Sequence, residues 1–257
     1  MRKLIRLLLG QTKATVPALR TRTKLLATRG PIYAIGDVHG CIDQLLHAEQ
    51  RIQEDCQLRN QSATVIYLGD FVDRGKGSAA VLEHLSRRHT DDLVRFAVCG
   101  NHDDAFLAFI RDGAGAQHWL DFGGMATLQS YGIDADYVLK TTGSMKTLVA
   151  LAREAVPQQH VDFLQRLPVS ISIGRYLFVH AGIRPGLELD NQTDEDMMWI
   201  REPFLSEGPK LPITVIHGHT IVPAPVFRDG RIGIDTGCYS TGLLTVLKVT
   251  PEATAIL

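Results

Sequence analysis

The sequence predicts an α/β protein in which βαβ units build a parallel sheet. Short runs of β-forming apolar residues alternate with longer segments of helical periodicity through the first half of the chain. Each of the first three apolar runs leads through a glycine into a tight group of polar residues. The size agrees: 257 residues, 45% of them hydrophobic, hold enough apolar material for one large α/β domain or two small ones.

The first strand covers residues 32–35, entered from Pro31 and left through Gly36. Leu45, Leu46, Ala48 and Ile52 then give a helical stripe over about 42–58. Residues 64–68 form the next strand, 78–89 the next helix, 94–98 a third strand, and 103–111 begin a third helix. That alternation is the pattern of parallel pairing through helical crossovers. Over 112–168 the character changes. The paired glycines Gly123 and Gly124, aromatic clusters and helical patterns at 145–155 and 158–167 read as a helical insertion over the sheet. From Val169 onward strands dominate, at 169–173, 176–179, 213–216, 225–227, 232–234 and 243–249, with turns at Gly174, Gly230 and Gly242.

Charge divides the chain unevenly. Residues 1–30 carry eight basic side chains (Arg2, Lys3, Arg6, Lys13, Arg20, Arg22, Lys24, Arg29) and no acid, leaving a net charge of −9 on the remainder. The expected organisation is therefore a loosely held basic arm over 1–30 followed by one domain over 31–257. A weak contact between the arm and an anionic membrane or acidic partner is its functional alternative. Arg6 interrupts the apolar start, so a signal peptide is not expected. No apolar run approaches the ~20 residues that span a bilayer. The four scattered cysteines contain no C-x-x-C pair, which points to reduced thiols in a cytoplasmic protein. Cys41 and Cys99 read as small buried fillers. The acidic body gives little support to a nucleic-acid groove.

Three runs share one chemistry: Gly36-Asp37-Val38-His39-Gly40, Gly69-Asp70-Phe71-Val72-Asp73-Arg74-Gly75 and Gly100-Asn101-His102-Asp103. Two more apolar runs end in His180 and in His217-Gly218-His219. A lone Asp after a strand is usually a helix cap, and a lone His is usually a hydrogen-bonded core or surface residue. Five strands all ending in Asp, Asn or His instead fit one shared site, because ligands of α/β sheets collect beyond the carboxyl ends of strands. Imidazole and carboxylate without thiolate suit Mn, Fe, Zn or Co. Two cations ~3.5–4 Å apart need a bridging carboxylate, and Asp70 stands in the middle of the set.

Together with His180-Ala181-Gly182 and Gly218-His219-Thr220, these runs resemble the signature of the metal-dependent phosphoprotein phosphatases. The likeness is nearest the small bacterial and phage members of the lambda phosphatase type, within the calcineurin-like metallophosphoesterase superfamily. It covers residues 31–250 and extends to Trp119-Leu120-Asp121-Phe122-Gly123-Gly124 and Trp199-Ile200-Arg201. The resemblance implies a calcineurin-like α/β/β/α sandwich with a dinuclear centre. Asp37, His39 and Asp70 would hold one metal, and Asp70, Asn101, His180 and His219 the other, most readily Mn2+, with Fe, Zn, Co or Ni as alternatives. His217 would be a neighbour rather than a ligand. His102 falls on the general acid, Asp73 on the carboxylate that orients it, and Arg74 and Arg201 on the arginines that grip phosphate. The implied reaction is direct hydrolysis of a phosphomonoester by a hydroxide bridging the metals. The expected partners are phosphorylated proteins or peptides and the expected state is a monomer.

One departure qualifies the expectation. Asp103 stands where protein phosphatases usually carry Glu, and the symmetrical dinucleoside tetraphosphatases often carry Asp there. Those enzymes usually replace the acid that is present here as Asp73, which favours the phosphomonoesterase. Phosphodiesterases and nucleases of the superfamily end in Gly-His-x-His, whereas this chain has Ile221 at the last position. A metal-binding scaffold without activity would be expected to have lost the acid, the ligands or the arginines, and all are present.

Overall fold

Strands that are apolar on both sides need a covering layer on both faces, and this requirement sets the architecture. The computed structural model describes residues 19–28 and 30–257. Its strands are β1 (Arg22–Leu25), β2 (Ile32–Ile35), β3 (Ala63–Tyr67), β4 (Leu93–Ala97), β5 (Ser170–Ile173), β6 (Tyr176–Val179), β7 (Thr214–His217), β8 (Val226–Arg228), β9 (Arg231–Gly233), β10 (Val246–Val249) and β11 (Thr254–Ile256). They form two sheets, ordered β11-β10-β2-β3-β4 and β1-β5-β6-β7-β9-β8.

Alternation along β2 and β3 shows how the layers arise. Ile32, Ala34 and Ile66 enter an inner core with Leu68, Val98, Ile171, Phe178, Ile216 and Ile232, so the sheets pack face to face. Tyr33, Ile35, Val65 and Tyr67 point the other way, into a second core shared with the helices. α1 (Ile42–Arg59) presents Leu45, Ala48, Ile52 and Cys56 to that core, a stripe of helical spacing. α2 (Ser78–Ser86) and α3 (Asn101–Asp112) follow β3 and β4. Leu177, Val179 and Val215 of the second sheet share a cluster with Met197 and Phe204. The result is the expected α/β/β/α sandwich.

Three details differ from the sequence-based expectation. The parallel arrangement is confined to part of each sheet: β2, β3 and β4 are parallel, whereas β10 and β11 complete the first sheet antiparallel and the second sheet is mixed. The insertion comprises α4 (Ala116–Trp119), a widened turn at Leu120–Gly124, α5 (Met125–Ser130), α6 (Ala135–Thr142), α7 (Met145–Ala155) and α8 (Gln158–Arg166). It packs chiefly on α2 and α3. Finally, the last part of the basic arm is tied down. β1 pairs with β5 from Arg22–Ser170 to Leu25–Ile173, and the Arg20 guanidinium donates to Asp104 at 2.7 Å and to the carbonyls of Leu164 and Leu167 at 3.0 and 3.1 Å. The arm up to residue 18 lies outside the described residues.

All four cysteines are free; Cys56, Cys99 and Cys238 are buried and Cys41 is partly so. Among the described residues no helix is long and apolar enough to cross a membrane.

Candidate metal centre

The loops that follow β2, β3, β4, β6 and β7 meet at one edge of the sandwich. They bring together Asp37, His39, Asp70, Asp73, Asn101, His102, His180 and His219, all of them buried. This convergence follows from direction: β2, β3 and β4 run parallel to one another, as do β6 and β7. Five of the seven non-glycine residues with positive φ among the described residues are His39, Asp70, Asp73, Arg74 and His219. Each such residue costs about 1–3 kcal/mol, so the fold holds strained backbone here and almost nowhere else. Gly218 shows how close the parts lie, since a Cβ there would stand 1.9 Å from Asp37 Oδ1.

Asp70 occupies the centre. One of its oxygens, Oδ1, accepts the amide N–H of His102 at 3.0 Å. The other, Oδ2, lies 3.4 Å from Nε2 of both His39 and His180. His39, Asp70 and His102 form one group of donor atoms lying within 4.8 Å of one another, and Asp70, His180 and His219 form a second. Asn101 Oδ1 completes the second, 2.9 Å from His180 Nε2 and 3.0 Å from His219 Nδ1. Asp37 lies at the same edge outside these two groups, its carboxylate accepting the His219 amide N–H at 3.0 and 3.2 Å.

These atoms suit cations better than one another. His180 donates from Nδ1 to the Leu68 carbonyl at 2.7 Å, so its neutral form turns a lone pair on Nε2 toward the oxygens of Asn101 and Asp70. Burial opposes a charge on His180, yet the carboxylates of Asp70 and Asp37 push its pKa up to about 10. His39 and His219 are held down to about 3 by burial and stay neutral. Nε2 of each is buried without a partner, and in His39 Nδ1 is already committed to the Val72 carbonyl at 2.8 Å. Burial and Asp235 raise Asp37 well above the usual carboxylate range, whereas His180 and His102 outweigh burial and hold Asp70 well below it. Clustered buried carboxylates beside unpartnered imidazole nitrogens form a donor set for two hard or borderline divalent ions.

Beside this centre stands a second arrangement. His102 Nδ1 is 2.7 Å from Asp73 Oδ2, and Nε2 is 3.0 Å from Arg74 Nη2 and 4.0 Å from Asp70 Oδ2. The imidazole therefore donates to Asp73 and accepts from Arg74. Asp73 is fully buried and also accepts from Trp119 Nε1 at 2.9 Å and Thr127 Oγ1 at 2.6 Å. Arg74 packs over Tyr239 and Phe122, at 4.9 and 5.6 Å from the ring centroids. Arg201 is exposed beyond α9 (Asp194–Trp199), near enough for its charge to help keep His219 unprotonated.

Two further residues of these runs lie apart from the donor groups. His217 donates to no metal group: it lies against Phe204 and Arg231, and burial lowers its pKa to about 4. Asp103 does not face the mouth. Its carboxylate accepts the backbone N–H of Phe71 and of Gly100 at 2.8 and 3.0 Å, clamping the second and third runs together. Its identity thus reports loop scaffolding more than substrate. Residue-by-residue reading passed over Asp235, Thr127 and the contacts of Trp119 and Phe122. Asp235 follows the strand β9, the same signal that marked the candidate ligands; Thr127 carries no such signal.

Comparison with known proteins agrees with this geometry at the level of chemistry. The description of the calcineurin-like phosphoesterases matches residues 30–247. Bis(5'-nucleosyl)-tetraphosphatase PrpE of the asymmetrical type from Bacillus velezensis is 23% identical over 234 residues, covering 82% of this chain and 86% of its own. The protein of the same name from Bacillus subtilis is 22% identical over 232 residues, covering 82% and 87%. Among solved structures, a candidate diadenosine tetraphosphatase superposes with a TM-score of 0.64 at 20% identity over 93% of this chain and 97% of that one. A cold-active protein tyrosine phosphatase from a Shewanella species gives 0.54 at 14% identity over 93% and 82%. At these identities the structural matches speak for the fold.

Proposed function

Because the chain belongs to the calcineurin-like phosphoesterase family, we propose that it is a metal-dependent phosphomonoesterase of the phosphoprotein phosphatase type. Its substrates would be phosphoproteins, chiefly those carrying phosphoserine or phosphothreonine. The observation that carries this reading is the Asp73–His102 pair, 2.7 Å apart and braced by Trp119 and Thr127. A buried acid of this kind matters most when the leaving group is a poor one, such as the alkoxide of a serine or threonine. A phosphate departing from a phosphoanhydride needs much less protonation.

Asp37, His39 and Asp70 would hold one divalent ion and Asp70, Asn101, His180 and His219 the other, with Mn2+ well matched to these oxygen and imidazole donors. Bound ions supply Lewis acidity toward the phosphoryl oxygens and a water of lowered pKa. The chain's own groups do the rest. Arg74 and Arg201 grip the phosphoryl oxygens through planar, charged forks. When Arg74 turns to the phosphate it leaves His102 Nε2 free to take a proton from solvent and give it to the leaving-group oxygen that it then faces. Asp73 keeps Nδ1 protonated and the ring in place.

A second reading, hydrolysis of dinucleoside tetraphosphates, is favoured by the names of the curated relatives. The partly exposed rings of Trp199 and Tyr239 also offer surfaces on which a base stacks. The deciding experiment compares phosphate release from phosphoserine and phosphothreonine peptides with cleavage of diadenosine tetraphosphate. His102→Asn should lower turnover of the phosphopeptide by about 100-fold or more, the usual worth of a general acid. Strong preference for the dinucleotide would transfer the function to the second reading. Full activity in His102→Asn would remove His102 from its role.

A further inference from the structure

The widened turn at Leu120–Gly124, with Trp119 before it, touches Asp73, Arg74 and His102. Trp119, just before it, donates Nε1–H to Asp73. Gly123, within it, accepts the Arg74 amide N–H at 3.3 Å. Its φ of 128° and the 3.1–3.3 Å that a Cβ would leave to Arg74 and Asp73 restrict this position to glycine. Between them, Phe122 lies flat on His102, with ring centroids 3.9 Å apart and planes 8° from parallel.

The hydrogen bonds of the His102 imidazole hold it in its own plane, through Asp73 at Nδ1 and Arg74 at Nε2. Its second aromatic neighbour, His39, meets it edge-on at 4.7 Å. The parallel ring of Phe122 covers a face of the imidazole and opposes its rotation out of plane. The Phe122 ring is itself held, stacked near His118 at 5.6 Å and Trp199 at 5.7 Å. His118 and Phe122 stand four residues apart, which puts them on one side of a helical turn.

We propose that Phe122 is a positioning residue: the face of its ring holds the His102 imidazole at the angle from which Nε2 reaches the leaving-group oxygen. This rests on the phosphomonoesterase reading above. When the Arg74 guanidinium moves to the phosphate, the imidazole loses its in-plane partner at Nε2, and the stacked ring then contributes most to keeping it aimed. The demand is greatest for substrates that cannot leave without a proton and small for those that can. Phe122 thereby biases the enzyme toward alkyl phosphates without touching the phosphoryl group.

The test measures kcat and KM for the Mn2+-loaded wild type, Phe122→Leu, Phe122→Tyr and His102→Asn. The substrates are a phosphoserine peptide and p-nitrophenyl phosphate. A misaimed general acid should cost Phe122→Leu about 10-fold or more in kcat on the phosphopeptide, with KM and p-nitrophenyl phosphate turnover within about 2-fold of wild type. Phe122→Tyr, which keeps the ring face, should restore the phosphopeptide rate. Unchanged Mn2+ binding by calorimetry and unchanged Tm accompany that result. Should Phe122→Leu fail to fold, Phe122→Met serves as the non-planar variant of similar size. Equal losses on both substrates, a change in KM alone, or failure of Phe122→Tyr to restore the rate would overturn the positioning role. His102→Asn separates the two claims. If it spares the phosphopeptide, the general-acid reading fails; if it is inactive while Phe122→Leu is normal, only the positioning role fails.

Discussion

Residue by residue, most buried polar groups have partners, and the Nε2 atoms of His39 and His219 at the candidate metal centre are exceptions. Asp73 is the example at the site, with Trp119, Thr127 and His102 each supplying a hydrogen bond. Glu49 is the example away from it. Burial by itself would raise its carboxyl, but His84 at 3.0 Å, Arg95 at 2.7 Å and the Tyr67 hydroxyl draw its pKa down from 4.5 to about 2. A folded-state pKa below the unfolded value contributes stability that is present above pH 4.5 and is lost as pH falls toward 2. In Glu49→Gln the stability at pH 7 should therefore drop by about 3 kcal/mol, in line with breaking a buried pair. Its further loss on acidification should be shallower than in wild type. Urea midpoints across this range check the point, and parallel curves for the two proteins would exclude Glu49 as the source. The same residue scale shows what a motif conveys: Asp70 and Asn101 could be read as candidate ligands from sequence, while Trp119 and Thr127, which brace Asp73, come from 46 and 54 positions away.

At the scale of elements, strands with apolar runs were legible because burial on both faces demands such runs. β2 and β6 coincide with their expected bounds, and α7 does as well. β1 and β11 were not seen. β1 reads Arg-Thr-Lys-Leu, with no apolar pattern, and owes its conformation to pairing with β5. Edge strands of this kind are specified by the neighbour that binds them rather than by their own propensity. Arg20 makes the attachment strong, since it joins β1 to Asp104 on α3 and to the carbonyls at the end of α8. Arg20→Ala should cost about 1–3 kcal/mol by leaving those groups without their charged donor. Hydrogen exchange in β1 and in the last turn of α8 should accelerate together; unchanged protection at both would show that the strand is held by its backbone pairing alone.

Over the whole molecule, the candidate centre joins the two sheets. Asp37, His39, Asp70 and Asn101 come from the loops of the first sheet, and His180 and His219 from the second. A divalent ion shared by these residues binds the native state and not the unfolded chain. Adding Mn2+ to protein stripped with a chelator should raise stability by about 2.7 kcal/mol at one hundred times Kd. The accompanying rise in Tm is the readout, and a Tm indifferent to Mn2+ would argue against the donor set. His180→Ala should abolish most of the rise. The sequence by itself determined the α/β class, the inner strands and the residue types of the centre, because burial periodicity and metal-donor chemistry are local properties of a chain. Only the tertiary structure decided how these parts combine. It showed that Asp103 clamps loops, that β1 belongs to a sheet, and that Trp119, Phe122 and Thr127 enclose the Asp73–His102 pair. Each of those facts is a contact between residues distant in sequence, and no local pattern encodes a contact until the sheets bring its two sides together.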